Sequence, residues 1–433
     1  MDERSDRSVR FDEYLDRLSV AVGGKSRRRG PLGAYCTGLL IPGERKSMEP
    51  MAARLDPTRV QAMHQSLQNF VSQAAWCDEA VLTAAREYAL PVMEEHGSIE
   101  AWLVDDTGYP KQGKHSVGVA RQYCGMLGKT MNCQAAVTTF VANESASLPV
   151  AHRLYLPEKW AADPERRKKA GVSDSVQFRT KWEIALDQVE WMMKAGIPDG
   201  VVGADAGYGD VTAFRDGLTK LGRAYVVGIR KGIAVWGPGK GPAPAPEYPG
   251  RGRPATRLRR DKDHKPESVL KPATALPPEA WQQVNWREGT QGEMSSRFAR
   301  VRVWAAHLDD RRTEPPPTEW LLIEWPESEP EPTKHWLSTL PEDTDITTLV
   351  RLAKLRWRIE RDYEELKQEV GFAHFEGRGW RGFHHHAALS IAAYAFLVAE
   401  RARLSPPRAS GTSPFKAAPL PSGFRPRGSA DPA

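Results

Sequence analysis

Arg356-Trp-Arg-Ile-Glu-Arg-Asp-Tyr-Glu-Glu-Leu-Lys367 is the stretch on which the reading of this chain turns. It lacks proline and glycine and is rich in Arg, Glu, Leu and Lys, so it reads as a helix. Arg356, Glu360, Tyr363 and Lys367 stand at i, i+4, i+7 and i+11. At ~100° per residue they fall on one stripe roughly 60° wide. A carboxylate between two cations on one stripe suits the joint holding of a metal and a phosphate backbone. Taken alone, the same stripe is equally a solvated helix face with i, i+4 ion pairs. The rest of the chain has to decide.

The chain has 433 residues, 40% hydrophobic and 27% charged, which is ordinary for a globular protein with two or three domains. A net charge of +6 and a pI near 9.0 favour an anionic partner. Fourteen tryptophans are many, and Trp182, Trp357 and Trp380 sit beside basic residues. Cys36, Cys77, Cys124 and Cys133 form no CxxC pair and accompany no histidines at zinc spacing, so reduced thiols in a cytoplasmic protein are expected. The charged opening residues show no signal peptide, and no apolar run approaches ~18 residues.

The first hundred residues read as helical, with Phe11, Tyr14, Leu15 and Leu18 at helix spacing, a basic turn at Lys25–Arg29, and helices around Val60–Phe70 and Asp78–Leu90. From Ala101 the pattern becomes α/β. Strands are expected at Ala101–Thr107, Met131–Val141 and Ser147–Leu156. A helix at Ser175–Ala195 follows, then a strand at Val201–Ala204, a helix at Val211–Leu221 and a strand at Ala224–Ile229. Pro238–Pro254 is too rich in Pro and Gly to pack, and Arg257–Lys265 is densely basic. Further strands are expected at Phe298–Leu308, Glu319–Trp325 and His335–Leu340. Asp345-Ile-Thr-Thr348 reads as the entry to the C-terminal helix, and another helix as Ala387–Arg403.

Two acids at expected strand ends match the helical Glu360: Asp105, beside Asp106, and Asp205. Polar residues at strand ends of open α/β sheets line ligand crevices. Two strand aspartates and a helix glutamate offer hard oxygen ligands for two divalent cations, Mg2+ or Mn2+ rather than zinc. Such a pair supports phosphodiester displacement by stabilising the attacking and the leaving oxygen.

The chain here resembles the DDE transposases of bacterial insertion sequences, from about Pro31 to Leu397. The most specific segments are VDDTGYPKQGKHSVGVARQYCG (Val104–Gly125), GADAGYGD (Gly203–Asp210) and RWRIERDYEELKQEVG (Arg356–Gly371). The resemblance implies an α/β fold: an RNase H-like mixed-sheet core with a mainly β insertion, preceded by a helical N-terminal domain. The expected divisions are 1–98 (helical, DNA-binding), 99–230 (first part of the core), 231–343 (insertion), 344–403 (helices completing the core) and 404–433 (a disordered tail). It also implies Asp105, Asp205 and Glu360 as catalytic metal ligands for two Mg2+ ions, with Asp106 the alternative to Asp105. Asp-x-Thr spacing favours Asp105, and adjacent strand residues point to opposite faces. The family's Tyr-Arg-Glu-Lys signature places Arg356 and Lys367 around Glu360, but its tyrosine position is Ala353.

Arg356, Lys367, Lys111, Lys114 and Arg121 are the expected DNA contacts, with His115 and the turn Glu376–Arg381 as lesser candidates. The expected partners are double-stranded DNA, as element inverted repeats and as target, and a second copy of the chain on that DNA. The expected reaction is metal-dependent cleavage at element ends followed by attack of the 3′-hydroxyl on target DNA. A haloacid-type phosphatase is disfavoured because Thr107 stands where its second aspartate belongs. A domesticated, purely DNA-binding protein is the alternative. Of His384, His385 and His386, at most one is expected to contact DNA or close a hydrogen bond.

Overall fold

Helix formers dominate the first hundred residues, and among the described residues they form five α-helices, α1 (Glu3–Ala21), α2 (Ser26–Leu40), α3 (Met48–Leu55), α4 (Val60–Gln68) and α5 (Asp78–Glu94), with a π-helical turn at Asn69–Gln73 following α4. The basic run at Lys25–Arg29 is not a turn: Ser26–Arg29 opens α2. This computed structural model describes residues 3–404 apart from 249, 252–254, 290–291, 308–311 and 315–316; of the expected tail, 404–433, Leu404 ends the last described helix and 405–433 lie outside the described residues. Two units separate by their contacts. One takes the residues up to 100, then 104–197, then those from 357 onward; the other takes 101–103 and 198–356.

In the first unit, β1 (Ala101–Pro110), β2 (Ala120–Cys124), β3 (Lys129–Ala142) and β4 (Ser147–Leu154) follow the helices. β3 lies beside β1 and is long enough to pair antiparallel with β2 along 129–133 and with β4 along 136–142. The β3–β4 register slips between Thr139 and Phe140, where Phe140 faces Pro149, a residue without a ladder N–H. Short helices α6 (Glu158–Ala161) and α7 (Pro164–Ala170) precede α8 (Lys181–Lys194). A capping box between Thr180 and Glu183 starts α8, several residues later than its apolar periodicity indicates.

The second unit holds β5 (Val201–Ala204), α9 (Ala206–Gly209), α10 (Thr212–Lys220), β6 (Tyr225–Ile229), β7 (Ala234–Trp236), β8 (Glu267–Ser268) and α11 (Leu270–Thr274). It continues with β9 (Gln282–Gly289), β10 (Gly292–Ala305), β11 (Glu319–Trp325), β12 (Lys334–Ser338) and α12 (Ile346–Lys354). Its strand order is β5-β6-β12-β11-β10-β7-β8, with Ala101–Leu103 of β1 beside β5 and with β9 on β10. Parallel β5–β6 beside antiparallel neighbours makes the sheet mixed, as the α/β, RNase H-like reading expects. Gly209 is required by space: a Cβ there would lie 2.0 Å from the Gly228 carbonyl oxygen. α12, capped by Asp345 through Thr348 N at 2.9 Å, lays Ile346, Leu349, Val350 and Ala353 against Phe298, Leu322 and Trp336.

The chain then returns to the first unit as α13 (Trp357–Gln368) and α14 (Trp380–Leu404). The expected single helix through Arg356 is therefore two helices, and Arg356 lies in the turn between them. α14 is apolar almost all round and correspondingly buried from Gly382 to Val398, save Leu397. Its alanines let α5 approach closely, and its Phe396 meets Phe11 at 5.0 Å and Tyr14 at 5.7 Å. Cys36, Cys124 and Cys133 are buried thiols and Cys77 is exposed. No helix among the described residues is long and apolar enough to cross a membrane.

Candidate active site

Asp105 and Asp106 lie in the middle of β1 and not at its end, because the strand continues through Gly108 to Pro110. Gly108 reads as a turn residue in sequence but is a packing residue: a Cβ there would stand 2.7 Å from the Cys124 sulfur. Strand alternation sends the two carboxylates to opposite faces. Asp106 accepts from Lys181 Nζ, at the start of α8, at 2.6 Å, with both side chains about 30% exposed. Nothing local in the sequence marks Lys181 as that partner.

Asp105 and, more weakly, Asp106 both act electrostatically on Tyr363 of α13. The buried Tyr363 hydroxyl is held well above the usual phenol range, first by burial and then by the charge of Asp105. Burial draws the Lys367 ammonium down, opposed by Cys124 and by Asp105. Lys367 Nζ sits 5.4 Å from the centre of the Tyr363 ring. Glu360, Tyr363 and Lys367 are spaced i, i+3, i+7 on α13, so they share a face. Glu360 is exposed in the first turn, where the helix dipole favours a carboxylate.

The buried side of α13 is polar at one point. Asp362 accepts hydrogen bonds from Ser147 Oγ of β4 and, at 2.8 Å, from the Tyr394 hydroxyl of α14. Burial pushes its carboxyl up to about 7 although both hydrogen bonds favour the charged form. Glu365 extends the network to Arg361 at 3.2 Å and Arg401 at 2.6 Å. At the far end of α13, the buried Lys46 ammonium donates to the Leu39 and Glu369 carbonyls. These contacts fix the roll of α13 against β4 and α14. A lone aspartate in a charged helix carries no sequence signal for that role.

Asp205 belongs to the second unit. It follows β5 and caps α9, its Oδ1 accepting from Gly207 N at 2.8 Å. The loop after β1 separates the expected DNA contacts. The Lys111 ammonium donates to the Phe375 carbonyl at 2.6 Å and burial lowers it, whereas Lys114 and Arg121 are exposed. Ala353, at the position of the family's tyrosine, is a core residue of the second unit. The histidine expectation fails, because all three rings are buried and bonded. His384 Nδ1 meets the Trp380 carbonyl at 3.0 Å, His385 Nδ1 meets that of Val71 at 2.8 Å, and His386 Nδ1 meets the Tyr35 hydroxyl at 2.8 Å. Burial lowers His385 and His386 to about 4, so both are neutral near pH 7.

Carboxylate oxygens are suitable donors for a hard divalent cation, and Asp105, Asp205 and Glu360 offer nothing else. Among the described residues, no three His, Cys, Asp or Glu side chains are gathered closely enough to hold a metal. The fit is one of donor chemistry.

Comparison with known proteins supplies the family. Over 167 residues the chain is 32% identical to the probable transposase for insertion sequence element IS701 of Microchaete diplosiphon. That alignment covers 38% of this chain and 40% of the relative. A cryo-EM structure of the piggyBac transposase synaptic complex with hairpin DNA aligns over 89% of this chain and 74% of its own, at 9% identity and a TM-score of 0.37, too slight a likeness to argue from. The family model for DDE superfamily endonucleases matches residues 17–293, which include Asp105 and Asp205 and stop short of Glu360. With more than half of its length matched by that model, this chain belongs to the DDE superfamily endonucleases.

Proposed function

We propose that this protein is a transposase that cuts the ends of its own element and joins the freed 3′-hydroxyl to target DNA, with Asp105, Asp205 and Glu360 as the acidic ligands of two Mg2+ ions. The observation that carries the reading is the face of α13: Tyr363 and Lys367 lie within the electrostatic reach of Asp105, and Glu360 is on the same face. Asp106 is already neutralised by Lys181, which favours Asp105 as the ligand. When bound, the cations would stabilise charge on the attacking and leaving oxygens of the phosphodiester.

The chain's own residues supply position and charge. Lys367, held over the Tyr363 ring, offers a fixed cation for a DNA phosphate, and Arg356, Lys114 and Arg121 offer others. Lys111 serves the loop, through the Phe375 carbonyl. The Asp362 network holds α13 in register, so that Glu360 does not have to be positioned by the cation itself. Water and a 3′-hydroxyl are interchangeable nucleophiles at such a site, so one carboxylate set serves both cleavage and joining. Two element ends call for two copies of the chain on the DNA.

The test is cleavage of a supercoiled plasmid carrying the DNA that brackets this reading frame, with added Mg2+. Wild-type protein is expected to cut at the element ends, and Glu360→Gln to bind the same DNA without cutting. Equal cleavage by Glu360→Gln sinks the assignment. Binding without cleavage by the wild type establishes the purely DNA-binding alternative.

A further inference from the structure

We propose that the loop after β1, helix α7 and the loop before α14 together form a phosphate-binding track for duplex DNA, in which the carboxylates take no part. Four contacts bring these segments into one surface. Lys111 Nζ donates to the Phe375 carbonyl at 2.6 Å, and Val117 N to the Arg378 carbonyl at 3.0 Å. Arg166 Nη2 donates to the Lys114 carbonyl at 3.1 Å. A Cβ on Gly379 would stand 3.5 Å from the Ala170 carbonyl oxygen, which places the end of α7 beside the loop before α14.

Side-chain anchors hold the surface, and its outermost cations form no ion pair among the described residues. Trp160 is buried, anchored through Nε1 to the Val119 carbonyl at 2.7 Å, and carries the Arg166 guanidinium 3.8 Å above its ring. Asp163 caps the start of α7 at Arg166 N, 3.0 Å, and Gly171 closes its end at φ +66. Lys114, Lys168, Lys169 and Arg378 are exposed, and among the described residues none of them forms an ion pair. Glu165 and Lys169 are spaced for an i, i+4 pair and do not make one. Asp163 is spent on the cap and Glu376 pairs with Arg45 at 3.1 Å. Glu165 and Glu376 are the exposed acids of α7 and of the loop before α14, and the cations of the surface outnumber them.

The chemistry selects a polyanion of regular charge. A membrane surface would require an apolar anchor beside the cations, and none of the exposed large hydrophobic side chains falls in these segments. Duplex DNA presents one charge per ~1.7 Å of axis, and each phosphate neutralised adds about 0.9 to the salt slope of binding. The choice of DNA among polyanions rests on the proposed function; the track itself rests on the surface.

The experiment measures affinity of the full chain for a random-sequence duplex across a salt series in EDTA, where no cleavage occurs. Lys168→Gln/Lys169→Gln/Arg378→Gln is compared with Lys220→Gln/Lys262→Gln/Lys334→Gln, which removes equal charge from the second unit, both after circular dichroism verifies folding. The track variant is expected to lose about 3 from the slope and roughly 100-fold in affinity near 0.15 M salt. The control is expected to keep the wild-type slope. A track variant that keeps the wild-type slope, or a control that loses as much, overturns the proposal. So does loss of binding to anionic vesicles with DNA binding intact. Because plasmid cleavage is measured separately, failure of the proposed function leaves this result readable.

Discussion

Asp362→Asn tests whether the roll of α13 depends on a buried carboxyl under strain from its surroundings. Asp362 is wholly buried, and its carboxyl is pushed up from the ordinary value of 3.8 to about 7. The displacement, about 3 pH units, corresponds to ~4 kcal/mol between the protonated and ionised forms. The folded chain binds the proton more tightly than the unfolded chain does. Stability from this group is therefore complete below the unfolded value near 4 and is lost as pH rises toward 7, after which the deficit is constant. Asparagine cannot ionise and retains an oxygen to accept from Tyr394. Urea unfolding followed by tryptophan fluorescence at steps from pH 4.5 to 8 should show the wild type losing ~3 kcal/mol more than Asp362→Asn across that window, the remainder falling below pH 4.5. Parallel pH dependences for the two proteins would refute the reasoning, because the carboxyl would then be no costlier to ionise folded than unfolded.

Asp105→Asn should abolish Mg2+-dependent cleavage while Asp106→Asn retains it; the reverse pattern would exchange the ligand assignment. Lys181→Met should lower stability by about 1 kcal/mol, as for a partly exposed pair, and a double-mutant cycle with Asp106→Asn should assign that loss to their interaction. Gly209→Ala should cost about 3 kcal/mol in thermal or urea unfolding, since the added Cβ meets a backbone carbonyl that cannot turn aside. Cleavage should stop in EDTA and return with Mg2+ or Mn2+; cleavage that persists in EDTA would remove the cations from the scheme.

The sequence discloses those parts of the fold whose signal is local. β3, β5, β6 and β11 fall within a few residues of their expected bounds, because runs such as Val201–Ala204 and Glu319–Trp325 are apolar and sharply ended. β2 escapes notice because Arg121 and Tyr123 alternate outward on a short strand. The break between α12 and α13 is equally hidden: no proline or glycine interrupts Lys354–Trp357. It arises because Leu349, Val350 and Ala353 answer to the core of one unit, while Ile359, Tyr363 and Leu366 answer to the other. At the candidate site, the sequence and its family resemblance nominate the acids. What holds them is not legible, since Lys181, Ser147 and Tyr394 reach Asp106 and Asp362 from distant points of the chain.

One of the four thiols has a practical use. Cys77 is exposed while Cys36, Cys124 and Cys133 are buried, and burial holds the Cys36 and Cys133 thiols at about 12 and 11. A maleimide dye should therefore label native protein at Cys77 alone, without removal of the other cysteines. The neighbouring Trp76 stacks on His385 of α14 at 3.5 Å, so the dye would report where the N-terminal helices meet that helix. Quenching or anisotropy at this position would give a real-time record of whether the helical domain shifts when DNA is bound.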